Sequence, residues 1–235
     1  MIDEANGVEL RRIVVGYLDT NCWVVRPLGG REALIVDPGD EPDRIAEAVT
    51  DLDVTGIVIT HAHADHVLAV AALAEEFGVP IIGHPDEPQV WAAELDYLAE
   101  HGHLDAGTAT ADFVASGNLP RPAPELPLWD GRLADYSSQL TLGPLTVELL
   151  HTPGRTPGSL CLRLPGHLLS GDTLFPGGPG LTGPQWPLSD FSAIIASVQA
   201  LLELPPDTVV HPGHGSDTTV ATERPHLDAW RARGW

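Results

Sequence analysis

Six consecutive residues, His61-Ala62-His63-Ala64-Asp65-His66, hold three imidazoles and a carboxylate. Groups this close repel one another when charged, and they are costly to bury unless a cation sits between them. A divalent metal supplies that cation, and imidazole with carboxylate is a donor set suited to zinc, iron and related ions. The segment follows the apolar run Thr55-Gly56-Ile57-Val58-Ile59, which reads as a buried strand ending at the site. Three more apolar runs end in a candidate ligand: Thr146 to Leu150 before His151, His167 to Gly171 before Asp172, and Thr208 to His211 before Pro212-Gly213-His214. Each is β-branched or Leu-rich and closes on Gly or Pro. Strand ends that deliver His and Asp to one place describe a rigid sheet with ligands on its loops, which holds donors to the geometry a metal demands.

The elements that must position these residues follow from periodicity. Strands are expected near Val8 to Val15, Cys22 to Arg26, Ala33 to Val36, Gly56 to Ile59, Pro80 to Gly83, Leu145 to Leu150, Ser159 to Leu164 and His167 to Ser170. Helices are expected over Pro42 to Val49 and Asp65 to Phe77, the second with an apolar stripe of Val67, Val70, Ala71, Leu73 and Ala74. A third covers Pro88 to Glu100. A fourth runs from Ser189, as N-cap, to Leu204, and a short last helix begins at Pro225. Strands and helices recur in both halves, which places the chain in the α/β class.

Composition fits one domain over residues 1–235, large enough to bury a sizeable core. No apolar stretch approaches the roughly 18 residues of a membrane span. The acidic start lacks the regions of a secretion signal, so a cytoplasmic setting is expected. Cys22 and Cys161 lie far apart in apolar runs and read as buried small hydrophobes rather than a disulfide or thiolate site. The chain carries 33 acidic residues against 12 basic ones, all arginine, for a formal net charge of -21. Such a surface repels nucleic acid phosphates, so no nucleic-acid partner and no membrane partner are expected.

With these motifs in place, the sequence resembles the metallo-β-lactamase fold superfamily, nearest to glyoxalase II-like hydrolases. The match is His61-x-His63-x-Asp65-His66, His151-Thr152-Pro153-Gly154, Gly171-Asp172-Thr173-Leu174-Phe175, Pro212-Gly213-His214-Gly215 and Thr218-Thr219 with Glu223-Arg224. Asn21-Cys22 and Val36-Asp37-Pro38-Gly39 match early motifs. The resemblance covers about residues 10 to 85 and 140 to 228. It implies a four-layer αββα sandwich, two mixed sheets face to face with helices outside.

The resemblance further implies two divalent metal ions, Zn2+ with Fe or mixed Zn/Fe as alternatives. His61, His63 and His151 would hold the first, Asp65, His66 and His214 the second, and Asp172 would bridge them. Asp65 and Asp172 are the expected catalytic carboxylates. Arg155 stands where the typical glyoxalase II motif continues with a second histidine. It is not among the expected ligands, so the metal site is expected to be intact.

The central stretch, about residues 85–140, matches no motif and is the candidate for substrate selection, with His84, Trp91 and Tyr97 as candidate substrate-binding residues. Trp129 and Tyr136 are further aromatics for a pocket wall, whereas His101, His103, His167 and His226 read as exposed or structural. The implied activity is hydrolysis of a small acyl substrate, a thioester first and a lactone or ester second. A β-lactam is disfavoured, because that branch places Cys or Ser where this chain has Asp172. The absence of lysine, the end of the chain near where the family's extra helical domain would begin, and the lack of an arginine after Asp172 disfavour glutathione as carrier. A different reaction class, a persulfide dioxygenase, would use one iron on His61, His151 and Asp172.

Overall fold

In the computed structural model the described residues are 1–100 and 129–234, the side chains of 97–100 excepted. The first sheet is built in sequence order from β1 (Ile2–Asp3), β2 (Val8–Val15), β3 (Thr20–Pro27), β4 (Glu32–Val36), β5 (Asp53–Val58) and β6 (Ile81–Ile82). The second contains β7 (Gln139–Leu142), β8 (Leu145–His151), β9 (Leu160–Leu164) and β10 (His167–Gly171). A separate hairpin of β11 (Leu174–Phe175) and β12 (Gly178–Pro179) follows, and β13 (Val209–Pro212) and β14 (Thr218–Thr219) then complete the second sheet in the order β14-β13-β10-β9-β8-β7. Both sheets are mixed: β4–β5, β5–β6 and β10–β13 run parallel and the remaining pairs antiparallel.

Period-two alternation sorts side chains between layers. Trp23 and Val25 on β3, Leu34 and Val36 on β4, and Val58 on β5 meet Val147 and Leu149 on β8, Leu160, Leu162 and Leu164 on β9, and Leu169 on β10 in a core between the sheets. The alternate residues Cys22, Val24, Ala33, Ile35 and Ile57 face α1 (Pro42–Ala48), α2 (Ala64–Val67), α3 (Val70–Phe77) and α4 (Glu87–Glu100). On the far side, Cys161 and Leu168 pack beneath α5 (Phe191–Leu201), α6 (Val220–Glu223) and α7 (Leu227–Arg233). The four layers are helix, sheet, sheet, helix, as expected. Each fully buried Leu or Ile contributes roughly 1.5–3 kcal/mol. Both cysteines are buried and free. Among the described residues no helix is long and apolar enough to cross a membrane.

Departures from the sequence reading have local causes. The helix expected over Asp65 to Phe77 is two helices, because Ala69 N–H donates to the Pro38 carbonyl at 3.1 Å instead of continuing the helix ladder. The Pro38-Gly39 segment presses on that break so closely that a Cβ on Gly39 would lie 1.7 Å from the Asp65 carbonyl oxygen. At α5 the N-cap is Asp190, whose side chain accepts from Ala193 N–H at 2.9 Å, while Ser189 Oγ donates to the Trp186 carbonyl. Of the stretch at about 85–140, residues 101–128 lie outside the described residues, and β7 begins at its far end and pairs along β8. The candidates His101 and His103 lie outside the described residues. His167 is structural: it is buried, with Nδ1 3.0 Å from His211 Nε2 and Nε2 3.0 Å from Asp3 Oδ2.

The sheets are fastened together at the end where the ligands emerge. Asn21 N–H donates to Gly213 O at 2.7 Å, and its side-chain amide donates to Pro212 O at 2.9 Å and Gly215 O at 3.0 Å. Leu160 N–H donates to Thr60 O at 2.8 Å. Asn21→Ala is therefore expected to cost about 2 kcal/mol, from two lost side-chain bonds and the carbonyls left unpaired. Chemical denaturation measures this, and an unchanged midpoint would show that Asn21 does not fasten the His214 loop.

Candidate metal centre

Six of the seven expected ligands fall into two groups whose donor atoms lie within 4.8 Å of one another. His61 and His63 join Asp172 in one, and Asp65, His66 and His214 form the other. The segment after β5 supplies the first four side chains, β10 ends one residue before Asp172, and the turn after β13 brings His214. Gly213 allows that turn to close in: a Cβ there would lie 2.6 Å from Asp172 Oδ1 and 2.7 Å from His66 Cε1.

The second group is compact. Asp65 Oδ2 is 3.4 Å from His66 Nε2 and 3.2 Å from His214 Nε2, and the two nitrogens are 3.3 Å apart. Asp172 Oδ1 stands 3.5 Å from His66 Nε2 and 3.6 Å from His214 Nε2, and no hydrogen bond reaches it. Four donors about 2.0–2.1 Å from a central zinc stand roughly 3.3–3.4 Å apart, so these edges fit a tetrahedral cation. His66 is oriented by Asp37, whose Oδ2 is 3.1 Å from Nδ1 and accepts from Thr60 Oγ at 2.7 Å, while Oδ1 accepts from Thr60 N–H at 2.7 Å. His214 Nδ1 is 3.0 Å from the Leu18 carbonyl.

The first group is built differently. His61 Nε2 and His63 Nδ1 are buried without a hydrogen-bond partner, and His61 Nε2 is 3.7 Å from Asp172 Oδ2. The expected third histidine is elsewhere. His151 shares the face of β8 that carries Val147 and Leu149, and at the end of that strand its ring stacks on His84, with centroids 4.1 Å apart and planes 10° apart. Its Nε2 is 2.8 Å from Pro157 O, and it joins neither group. The iron set His61, His151 and Asp172 is therefore not assembled.

Arg155 stands there instead. Its Nε donates to Asp172 Oδ2 at 3.2 Å and its Nη1 to Leu181 O at 2.9 Å, while its guanidinium carbon lies 3.9 Å from the Trp186 ring centroid. The side chain is buried. The loop 152–159 turns it inward, closed by Thr152 N–H to Ser159 O and Gly154 N–H to Thr156 O. Sequence reasoning placed Arg155 outside the ligand set but did not foresee that it enters the centre.

Burial dominates the protonation states, and neighbouring charge decides their sign. Burial, with His66 nearby, keeps His61 well below the usual histidine range, and burial with Arg155 pushes His63 down to about 3. Burial also opposes charge on His66, but Asp65, Asp172 and Asp37 outweigh it and raise it well above that range. Burial disfavours ionised carboxylates, yet His66 and His214 lower Asp65 to about 2, and His66, His61 and Arg155 hold Asp172 well below its ordinary value. Both catalytic candidates are anionic at neutral pH.

The centre opens into a cleft of about 880 Å³ whose walls include Phe175, Leu181, Trp186 and Leu188, with Arg155 and Arg233 as basic groups and Glu94, whose carboxyl burial pushes up to about 7. The aromatics expected there are mostly elsewhere. Trp91 is 2% exposed in the core beneath α4 and donates Nε1–H to Trp129 O at 2.7 Å, so it is a packing residue. His84 is held against His151 and Tyr136. The side chain of Tyr97 lies outside the described residues.

Glu87, buried on α4, was not singled out in the sequence. It accepts from Ala62 N–H at 2.6 Å, Thr156 Oγ at 2.7 Å and Gly158 N–H at 2.9 Å, so it joins the histidine segment to the Arg155 loop. Glu87→Ala should destabilise the fold by about 3 kcal/mol by leaving three buried donors without an acceptor; a denaturation midpoint equal to the parent's would contradict this. Asp37→Asn is expected to weaken zinc binding roughly 10- to 100-fold through loss of His66 orientation. Competition against a chromophoric chelator reads that change, and an unaltered affinity would remove Asp37 from the centre's support.

Comparison with known proteins agrees with this geometry. A family model described as the metallo-beta-lactamase superfamily matches residues 15–214. The hydroxyacylglutathione hydrolase GloC of Haemophilus influenzae is 30% identical over 220 residues, spanning 90% of this chain and 93% of that protein. Among solved structures, the BLEG-1 B3 metallo-beta-lactamase superposes with a TM-score of 0.72 at 29% identity, covering 94% of this chain and 99% of that one. TTHA1623 in a di-iron-bound form superposes with a TM-score of 0.71 at 32% identity, covering 91% and 96%. The chain belongs to the metallo-β-lactamase superfamily, among its glyoxalase II-like members.

Proposed function

We propose that the protein is a metal-dependent hydrolase of a small thioester. The observation that carries this reading is the four-donor cage of Asp65, His66, His214 and Asp172 at the floor of an apolar-walled cleft. A divalent ion such as zinc or iron held there would have to take water at a fifth position, where it would supply hydroxide at neutral pH. The protein's own groups do the rest. Asp65, ionised and fixed by Thr20 Oγ at 3.3 Å, orients the attacking oxygen and receives its proton at a carboxylate oxygen. Leu181, Trp186 and Leu188 bury the acyl group and limit water at the reacting carbon.

A thioester suits this site because thiolate leaves without a strong general acid. The hydroxyacylglutathione hydrolase relative supports the same bond type. The absence of lysine weighs against glutathione itself as the carrier. The β-lactamase neighbour makes a lactam the competitor to exclude.

A panel of glutathione and pantetheine thioesters, lactones and a β-lactam tests this reading on zinc- and iron-loaded protein. Thioester kcat/KM is expected to exceed the others by about 100-fold or more, a gap of roughly 2.7 kcal/mol in transition-state stabilisation. Chelation should abolish turnover and added metal should restore it. Fastest hydrolysis of the lactam, or activity that survives complete chelation, would overturn the proposal.

A further inference from the structure

We propose that the centre holds one divalent ion, in the cage of Asp65, His66, His214 and Asp172, and that the Arg155 guanidinium takes the place of a second. The inference rests on the metal-dependent reading above and concerns this chain's own residues. Its basis is how Asp172 divides its two oxygens. Oδ1 faces His66 and His214 at 3.5 and 3.6 Å and has no hydrogen-bond partner, so it is free to ligate. Oδ2, the oxygen facing His61 at 3.7 Å, accepts from Arg155 Nε at 3.2 Å. The oxygen that would complete a set with His61 and His63 is thus already paired with a positive charge.

The guanidinium is built in rather than incidental. It is buried, hydrogen-bonded to Leu181 O at 2.9 Å and stacked on Trp186 at 3.9 Å. It cannot lose its proton under ordinary conditions. A divalent ion between His61 and His63 would meet that fixed charge on the same carboxylate with only two uncharged nitrogens to offset it. His151 is not there to help, because it is held against His84 and Pro157 O.

Arg155 then does what a second cation would do for the reaction. It holds Asp172 with Oδ1 turned toward the cage. Two of its five donors are spent on Asp172 and Leu181, and the side chain lines the cleft, which places the remaining charge where a developing oxyanion is stabilised. The two partnerless nitrogens, His61 Nε2 and His63 Nδ1, remain as ligands awaiting a third. An imidazole in place of Arg155 would supply it.

Metal content tests this without reference to turnover. Wild-type protein and the Arg155→His, His214→Ala and His61→Ala variants are stripped with chelator, titrated with Zn2+, desalted, and measured by mass spectrometry, with circular dichroism as the folding control. The wild type is expected to retain one equivalent, Arg155→His two, His61→Ala one and His214→Ala none. Two tightly held equivalents in the wild type would overturn the inference while leaving the hydrolase reading standing. One equivalent that survives His214→Ala but not His61→Ala would place the ion in the other group and overturn it as well. No retained metal in the folded wild type would overturn the metal-dependent reading itself. If Arg155→His fails to fold, the wild-type count and the two histidine variants still decide the matter.

Discussion

A buried carboxylate must be paired, and in this protein the pairing of Asp172 organises everything around it. Stripping an ionised carboxylate of water costs several kcal/mol unless charge and hydrogen bonds replace the hydration. Asp172 meets that demand on both sides, with Arg155 on one oxygen and the His66–His214 pair facing the other. Its place is fixed by the end of β10 and by the close approach of Gly213. A shift of Asp172 would disturb the ion pair, the cage and the cleft wall together.

The sandwich is what makes this convergence possible. One sheet delivers the histidine segment, the other delivers Asp172 and His214, and hydrogen bonds from Asn21 and Leu160 lock the two edges in register. Asp37 and Glu87 extend the locking into the loops, each with a buried carboxylate that accepts several donors. These supporting groups, unlike the donor atoms they surround, are buried polar groups with their partners in place. Around it the protein carries a formal net charge of -21. Arg155 is a buried positive charge within that field, on the wall of the cleft.

Much of the fold and of the centre was legible in the sequence, for physical reasons. A strand with one face on the core and one toward solvent alternates, and a strand buried on both faces reads as a continuous apolar run, so β3, β4, β5, β8, β9 and β10 announced themselves. Candidate ligands set at strand ends share that signal, which is why six of the seven are residues that come together in two groups. His151 matched a motif by its spacing, yet its ring is held by stacking on His84, a contact between distant residues, and it joins neither group. Arg155 was read as lying outside the ligand set, and its entry into the centre was not visible because the conformation of the loop 152–159 decides which of its side chains turns inward. Trp91 was offered as a pocket wall but lies in the core, since an apolar helix face does not reveal which layer it meets. Asp37 was noted only as part of a motif, and its role emerged once His66 was seen to need an orienting acceptor.

The most direct test of the account is anomalous diffraction at the zinc absorption edge from crystals of the zinc-loaded protein. The account predicts one peak per chain, enclosed by Asp65, His66, His214 and Asp172, with Arg155 still hydrogen-bonded to the far oxygen of Asp172. A peak between His61 and His63, with Arg155 displaced from Asp172, would contradict it.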